Sequence, residues 1–224
     1  DLDGDGYEDE EYGHGTFVAS MVLTAAPDAM ILPVRVLDPE GNGEVVHLAA
    51  GIMFAVEMGA DVINVSVSLD YTSEMLEEAM MIADAMDVIV VASAGNKGHE
   101  MVGYPARYSS SVAVTAVDDD DYVPSWANIG SKVDLSAPGV EVLGAYPTDE
   151  TDNGTARWSG TSFSAPLVAG TLAALYATNP WDDSGQFVDA VEQSVLDIDN
   201  QNTGKSGKIG KGRLRADQAL DELE

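Results

Sequence analysis

Val88-Ile89-Val90-Val91-Ala92-Ser93-Ala94-Gly95-Asn96 sets an unbroken apolar, β-branched run ahead of a small-residue turn that ends in Gly and Asn. A strand with one wet face alternates apolar and polar residues, whereas a continuous run is the pattern of a strand covered on both faces, as in a mostly parallel sheet. Working outward, residues 61–67 and 30–37 on one side and 112–117 on the other repeat that character, with shorter strands expected at 133–135 and 140–143. Between them the spacing predicts helices over 14–24, 46–58, 74–86 and 162–176, and amphipathic ones over 186–196 and 216–223. Ser73 is placed to cap the helix at 74, and turns are expected at Gly41-Asn42-Gly43 and at the Asp run 118–121. Alternating strands and helices predict an α/β domain with a mostly parallel central sheet between helical layers. No repeat, linker or low-complexity stretch divides the chain, so one domain over residues 1–224 is expected.

Composition narrows the function. The 224 residues hold 39 Asp plus Glu against 10 Lys plus Arg and no Cys, a formal net charge of −29. Hydrophobic residues still make up 45% of the chain, so it has the means to build a core and is not a disordered acidic tail. So negative a body repels phosphate backbones and anionic lipid surfaces, which sets aside nucleic acid and membranes as partners. Without Cys there is no disulfide, thiolate catalysis or Cys-ligated zinc. No apolar run reaches the roughly 18 residues of a membrane-spanning helix. Half of the basic residues (Lys205, Lys208, Lys211, Arg213 and Arg215) lie in the last 20 positions, so the rest of the body is more acidic still. A solvated carboxylate shell explains most of this charge. The start, Asp1-Leu2-Asp3-Gly4-Asp5-Gly6, also matches the first half of a calcium loop, but Tyr12 stands where the bidentate Glu belongs. Asp1, Asp3 and Asp5 are therefore candidates for a looser structural calcium site.

In parallel sheets, reactive groups gather at the carboxyl ends of strands. Three places there carry chemistry: His14 between Gly13 and Gly15, Asn96 after the run quoted above, and Ser162 in Ser159-Gly160-Thr161-Ser162-Phe163-Ser164-Ala165-Pro166. Taken singly, each has a plain explanation as a turn histidine, a turn asparagine or a helix cap. Pro166 is expected in the first helical turn, where its missing N–H costs little.

Together these segments resemble the subtilisin-like serine peptidases, or subtilases. Gly13-His14-Gly15-Thr16-Phe17-Val18-Ala19-Ser20 is similar to the family's histidine motif, and the Ser162 segment to its serine motif. Between them Val36-Leu37-Asp38, Asp61-Val62-Ile63-Asn64-Val65-Ser66, Tyr104-Pro105-Ala106 and Ser136-Ala137-Pro138-Gly139 follow in the family's order. The resemblance implies a three-layer α/β/α subtilisin-like fold and a serine endopeptidase with Ser162 as nucleophile, His14 as general base and Asn96 as oxyanion donor. It implies an extended polypeptide substrate held between Gly41-Asn42-Gly43 and Ser66-Val67-Ser68. The first-subsite pocket would lie between residues 66–68 and 93–95, including Gly95, with Gly103 at its floor. Lys97 at the rim leads us to expect tolerance of acidic or polar side chains there. No cofactor is required for the chemistry; the chain is expected to be extracellular and monomeric.

One element of the family pattern is missing. The family orders its triad Asp, His, Ser, with the Asp at the end of an apolar strand, yet only 13 polar, Gly-rich residues precede His14. We therefore expect an N-terminally truncated domain lacking its first strand or strands, nearly inactive as it stands, since removing this Asp from subtilisin lowers turnover about 3 × 10⁴-fold. The competing expectations are a catalytically dead subtilase-like module that only binds peptides and a calcium-dependent adhesive module.

Overall fold

The computed structural model describes residues 12–147, 153–180 and 182–221. In chain order the elements are α1 (His14–Ala25), α2 (Val45–Glu57), β1 (Val62–Val65), α3 (Glu74–Ala85), β2 (Ile89–Ser93), β3 (Ser111–Val117), β4 (Leu135–Pro138), β5 (Val142–Ala145) and β6 (Thr155–Trp158). They continue with α4 (Thr161–Thr178), α5 (Ser184–Gln193), β7 (Val195–Leu196), β8 (Arg213–Leu214) and α6 (Ala216–Asp221). The main sheet runs β1-β2-β3-β4-β8-β7, parallel except for β7 at its edge. Val65 stands beside Ala92, Ser93 beside Val114 and Val117 beside Pro138.

β2 is buried at every position, and its side chains alternate between two cores. Val90 and Ala92 pack with Leu48 and Ile52 of α2 and Leu76 and Met80 of α3. Ile89 and Val91 pack on the opposite face with Leu172 and Leu175 of α4, Phe187 of α5 and Ala219 of α6. Burying one such side chain contributes about 1.5–3 kcal/mol, so these two faces hold the three layers together. Ser73 caps α3 as its position predicts, accepting from the Leu76 N–H.

Two expectations fail for physical reasons. Residues 30–37 form no strand: among the described residues no backbone hydrogen bond joins them to a neighbouring strand, and Met30 is 98% exposed. Their one packed side leans on α2, where a Cβ on Gly51 would meet Val36 and Val34 side chains at 2.8 and 3.2 Å. β1 ends the sheet with β2 as its sole partner among the described residues, so neither it nor residues 30–37 has a ladder on that side. Pro166 is the second correction. Helix α4 begins at Thr161, which puts Pro166 beyond the first turn, where its absent N–H would have met the Ser162 carbonyl. The Ser66 hydroxyl takes that carbonyl instead, at 2.7 Å. The sequence analysis also passed over β6, which pairs antiparallel with β5, and the two short strands β7 and β8.

Candidate active site

The serine motif opens at a turn built on glycine. Gly160 donates to the Gly139 carbonyl at 2.8 Å, and a Cβ on Gly139 would lie 2.2 Å from Ser164 Oγ and 2.9 Å from the Gly160 carbonyl. Ser136-Ala137-Pro138-Gly139 is thus the seat of the serine turn. From it Thr161 enters the helix fully buried and Ser162 follows half-buried, within the first turn of α4, whose N-terminal N–H groups favour negative charge.

Thr161 is the hub that sequence reasoning missed. Its backbone N–H and its hydroxyl both donate to Asn96 Oδ1, at 2.9 and 2.8 Å, and its hydroxyl accepts from the Gly95 N–H at 3.1 Å. The Asn96 amide is thereby held by its oxygen end. Its Nδ2 is turned towards the Gly160 turn, 3.5 Å from where a Cβ on Gly160 would stand. The loop carrying Asn96 has a second anchor in Asn128, whose Oδ1 accepts from the Lys97 and His99 N–H groups and whose Nδ2 donates to the Ala94 carbonyl. Both anchors are polar residues in ordinary sequence surroundings, so only their buried position distinguishes them.

On the other flank, the Ser66 hydroxyl donates to the Ser162 carbonyl and accepts from Asn64 Nδ2 at 3.0 Å. The Ser162 hydroxyl makes a long, 3.4 Å contact with the Ser66 carbonyl. Ser162, Ser66 and Asn96, predicted from separate motifs, therefore meet at one strand-end cluster. His14 begins α1, and Gly13 before it has φ 83°, a left-handed turn that lets Tyr146 and Pro147 approach within 3 Å of a would-be Cβ. The imidazole sits against Phe163, the residue after Ser162, at 5.6 Å between ring centroids, and stacks on Trp158 of β6 at 6.5 Å. Trp158 in turn stacks on Phe17 at 5.3 Å, so an aromatic wall from β6 and α1 supports the histidine. The polar–apolar alternation of Thr155-Ala156-Arg157-Trp158 is the local signal of the strand that carries this wall.

The other predicted residues fall in two groups. Ser66, Val67 and Ser68 leave β1, Gly95 leaves β2, and Gly103 donates to the Ala94 carbonyl at 3.0 Å, so these gather beside the serine motif. Gly41, Asn42 and Gly43 belong to a separate tight turn in which the Asn42 N–H donates to Asp38 Oδ1 at 2.7 Å. A cleft of about 610 Å³ runs along that turn past Arg35, Leu37 and His47. Lys97 pairs with Asp70, whose carboxyl the Lys97 hydrogen bond holds below its ordinary range, so the ammonium expected at the rim already has a partner. Asp1, Asp3 and Asp5 lie outside the described residues, and the described ones hold no cluster of three or more metal-ligating side chains. Nor is any described helix long and apolar enough to cross a membrane.

The profile of the Subtilase family matches residues 2–212. Subtilisin DY of Bacillus licheniformis is 32% identical over 97% of this chain and 81% of its own length. Thermitase of Thermoactinomyces vulgaris is 34% identical over 98% of this chain and 78% of its own. Among solved structures, a lanthipeptide protease superposes with a TM-score of 0.85 at 28% identity, over 94% of this chain and 76% of that one. The chain is thus matched in sequence over nearly its whole length, and it belongs to the subtilase family.

Proposed function

We propose that the chain is the peptidase unit of a secreted serine endopeptidase that cuts polypeptides through an acyl-enzyme. Ser162 attacks the scissile carbonyl while His14 accepts the Oγ proton and returns it to the leaving amine; water then repeats the sequence and frees Ser162. The carbonyl oxygen, negative in the tetrahedral intermediate, is met by Asn96 Nδ2 and the Ser162 N–H at the mouth of α4. The observation that carries this reading is the double hold of Thr161 on Asn96 Oδ1, because it fixes a neutral donor in advance of the charge it serves. The peptide backbone lies extended between Gly41-Asn42-Gly43 and Ser66-Val67-Ser68.

The carboxylate that orients His14 belongs, in this proposal, to a strand outside the described residues, laid between β1 and residues 30–37. Three features support such a strand: the open side of β1, the exposed apolar side chains at 30–34, and the buried Asn64 Oδ1 on β1, which has no hydrogen bond. Without that carboxylate, turnover falls by about 3 × 10⁴-fold and the molecule acts chiefly as a peptide-binding module. Treatment with diisopropyl fluorophosphate tests the proposal. Mass spectrometry should find the adduct on Ser162 and none on Ser162→Ala; a folded protein without the adduct would refute an assembled nucleophile.

A further inference from the structure

Two walls beside the serine motif close on each other over Gly103. One wall, residues 66–68, touches the serine motif through the Ser66 hydroxyl on the Ser162 carbonyl, and the other, residues 93–95, through the Gly95 N–H on Thr161 Oγ1. Gly103 lies at the base. A Cβ placed on Gly103 would stand 2.0 Å from Ser68 Oγ, and one placed on Gly95 would stand 2.8 Å from the same oxygen. The Ser68 hydroxyl therefore fills the space over Gly103 and reaches Gly95, where Asn128 Nδ2 stands closer still, 2.5 Å from a would-be Cβ. Ser68 is nonetheless exposed, so it is not part of the buried core.

The walls are also tied to each other. Leu69 and Tyr104 exchange two backbone hydrogen bonds of 2.8 Å, joining the Ser68 wall to the base. Gly103 donates to the Ala94 carbonyl at 3.0 Å, joining the base to the other wall, and Asn128 Nδ2 bonds the same carbonyl at 3.0 Å. Farther out, the Lys97–Asp70 pair spans the two walls. Parting the walls to admit a large side chain requires breaking several of these bonds at once, and a close-packed site charges for each added carbon.

Resting on the peptidase reading above, we propose that Ser68 is the residue that sets specificity, closing the first subsite to all but Gly, Ala and Ser on the acyl side of the cut. A pocket one or two atoms too short discriminates by about 10–200-fold. The test compares kcat/KM for acyl-Ala-Ala-Pro-X anilides with X as Gly, Ala, Ser, Leu or Phe, on the unaltered protein, Ser68→Gly and Ser68→Ala. The unaltered protein should favour Ala over Phe by at least about tenfold. The Phe-to-Ala ratio should rise by about 10–200-fold in Ser68→Gly and by less in Ser68→Ala, which keeps Cβ. Thermal melts confirm that the variants fold. Where turnover is too slow to follow, protection of Ser162 from fluorophosphate by peptide aldehydes ending in Ala or Phe reads the same ratio. A preference for Phe or Leu in the unaltered protein, or an unchanged ratio in Ser68→Gly, overturns the inference alone. Failure of the fluorophosphate to label any of the three folded proteins overturns the peptidase reading, and the inference with it.

Discussion

Asp134 offers a test of the fold that does not depend on catalysis. It sits just before β4, where its Oδ2 accepts from the Ala113 N–H at 2.7 Å while its own N–H donates to the Ala113 carbonyl at 2.9 Å and its carbonyl accepts from Lys211. Burial against the β3–β4 seam pushes its carboxyl from 3.8 up to about 6; the Ala113 hydrogen bond and the Lys132 and Lys211 charges only partly offset this, and Glu192 adds to it. The folded state therefore holds the proton more tightly than the unfolded chain. The associated stability is complete below about pH 4 and is lost as pH rises through about 6. A rise of that size corresponds to at most about 3 kcal/mol, and water reaching the half-buried carboxylate brings the expected figure to about 2 kcal/mol. Asp134→Asn keeps the shape and an acceptor for Ala113 but cannot ionise. Urea unfolding at steps between pH 4 and 7.5 should show the variant gaining on the unaltered protein by about 2 kcal/mol, the gain building between about pH 4 and 6 and staying level above that. Because the rest of the charge is common to both proteins, the difference isolates this carboxylate. Parallel curves across the whole range would refute the buried-carboxylate argument.

Thr161→Val removes one of the two donors on Asn96 Oδ1 and strands the Gly95 N–H; kcat should fall about 10–100-fold with KM little changed, and Thr161→Ser should recover it. An equal loss in both variants would mean that the hydroxyl does not act through Asn96. Gly139→Ala forces a Cβ to within 2.2 Å of Ser164 Oγ and 2.9 Å of the Gly160 carbonyl; a loss of about 1–3 kcal/mol in urea unfolding is expected, and an unchanged midpoint would show that the serine turn is not packed as described. With a net charge of −29, sodium chloride from about 0.1 to 1 M shortens the Debye length from about 10 to 3 Å and should raise the melting temperature. A steady fall over that range would count against self-repulsion as the dominant effect.

The cations of the C-terminal stretch show how charge that looks like clutter in the sequence becomes structure. Lys208 reaches Glu100 at 2.7 Å, Lys211 pairs with Glu192, and Lys205 donates to the Val123 carbonyl at 2.7 Å. Arg213 lies 2.5 Å from Asp121, close but not aligned as a hydrogen bond. An ion pair near the surface, such as Lys208–Glu100, contributes about 0–1 kcal/mol, so the effect of these contacts is to seat the last segment against the acidic body.

What could be read from the sequence follows the range of the forces involved. The buried strands β2 and β3, the capped α3 and the positions of His14, Asn96 and Ser162 were legible because apolar runs, caps and strand-end residues are local signals. Thr161 and Asn128 were not, since what sets them apart is a partner 65 or 34 residues away. Residues 30–37 make the same point in reverse. Their composition is that of a strand, but a strand is stabilised by the ladder it shares, and β1 offers them none among the described residues. The exposed Met30, Ile31 and Leu32 and the unsatisfied Asn64 Oδ1 each carry a cost, one in apolar area left in water and one in a buried acceptor left without a donor. The first cost is relieved by an apolar strand on the open side of β1, which is why the fold itself, and not the family likeness alone, argues for one there.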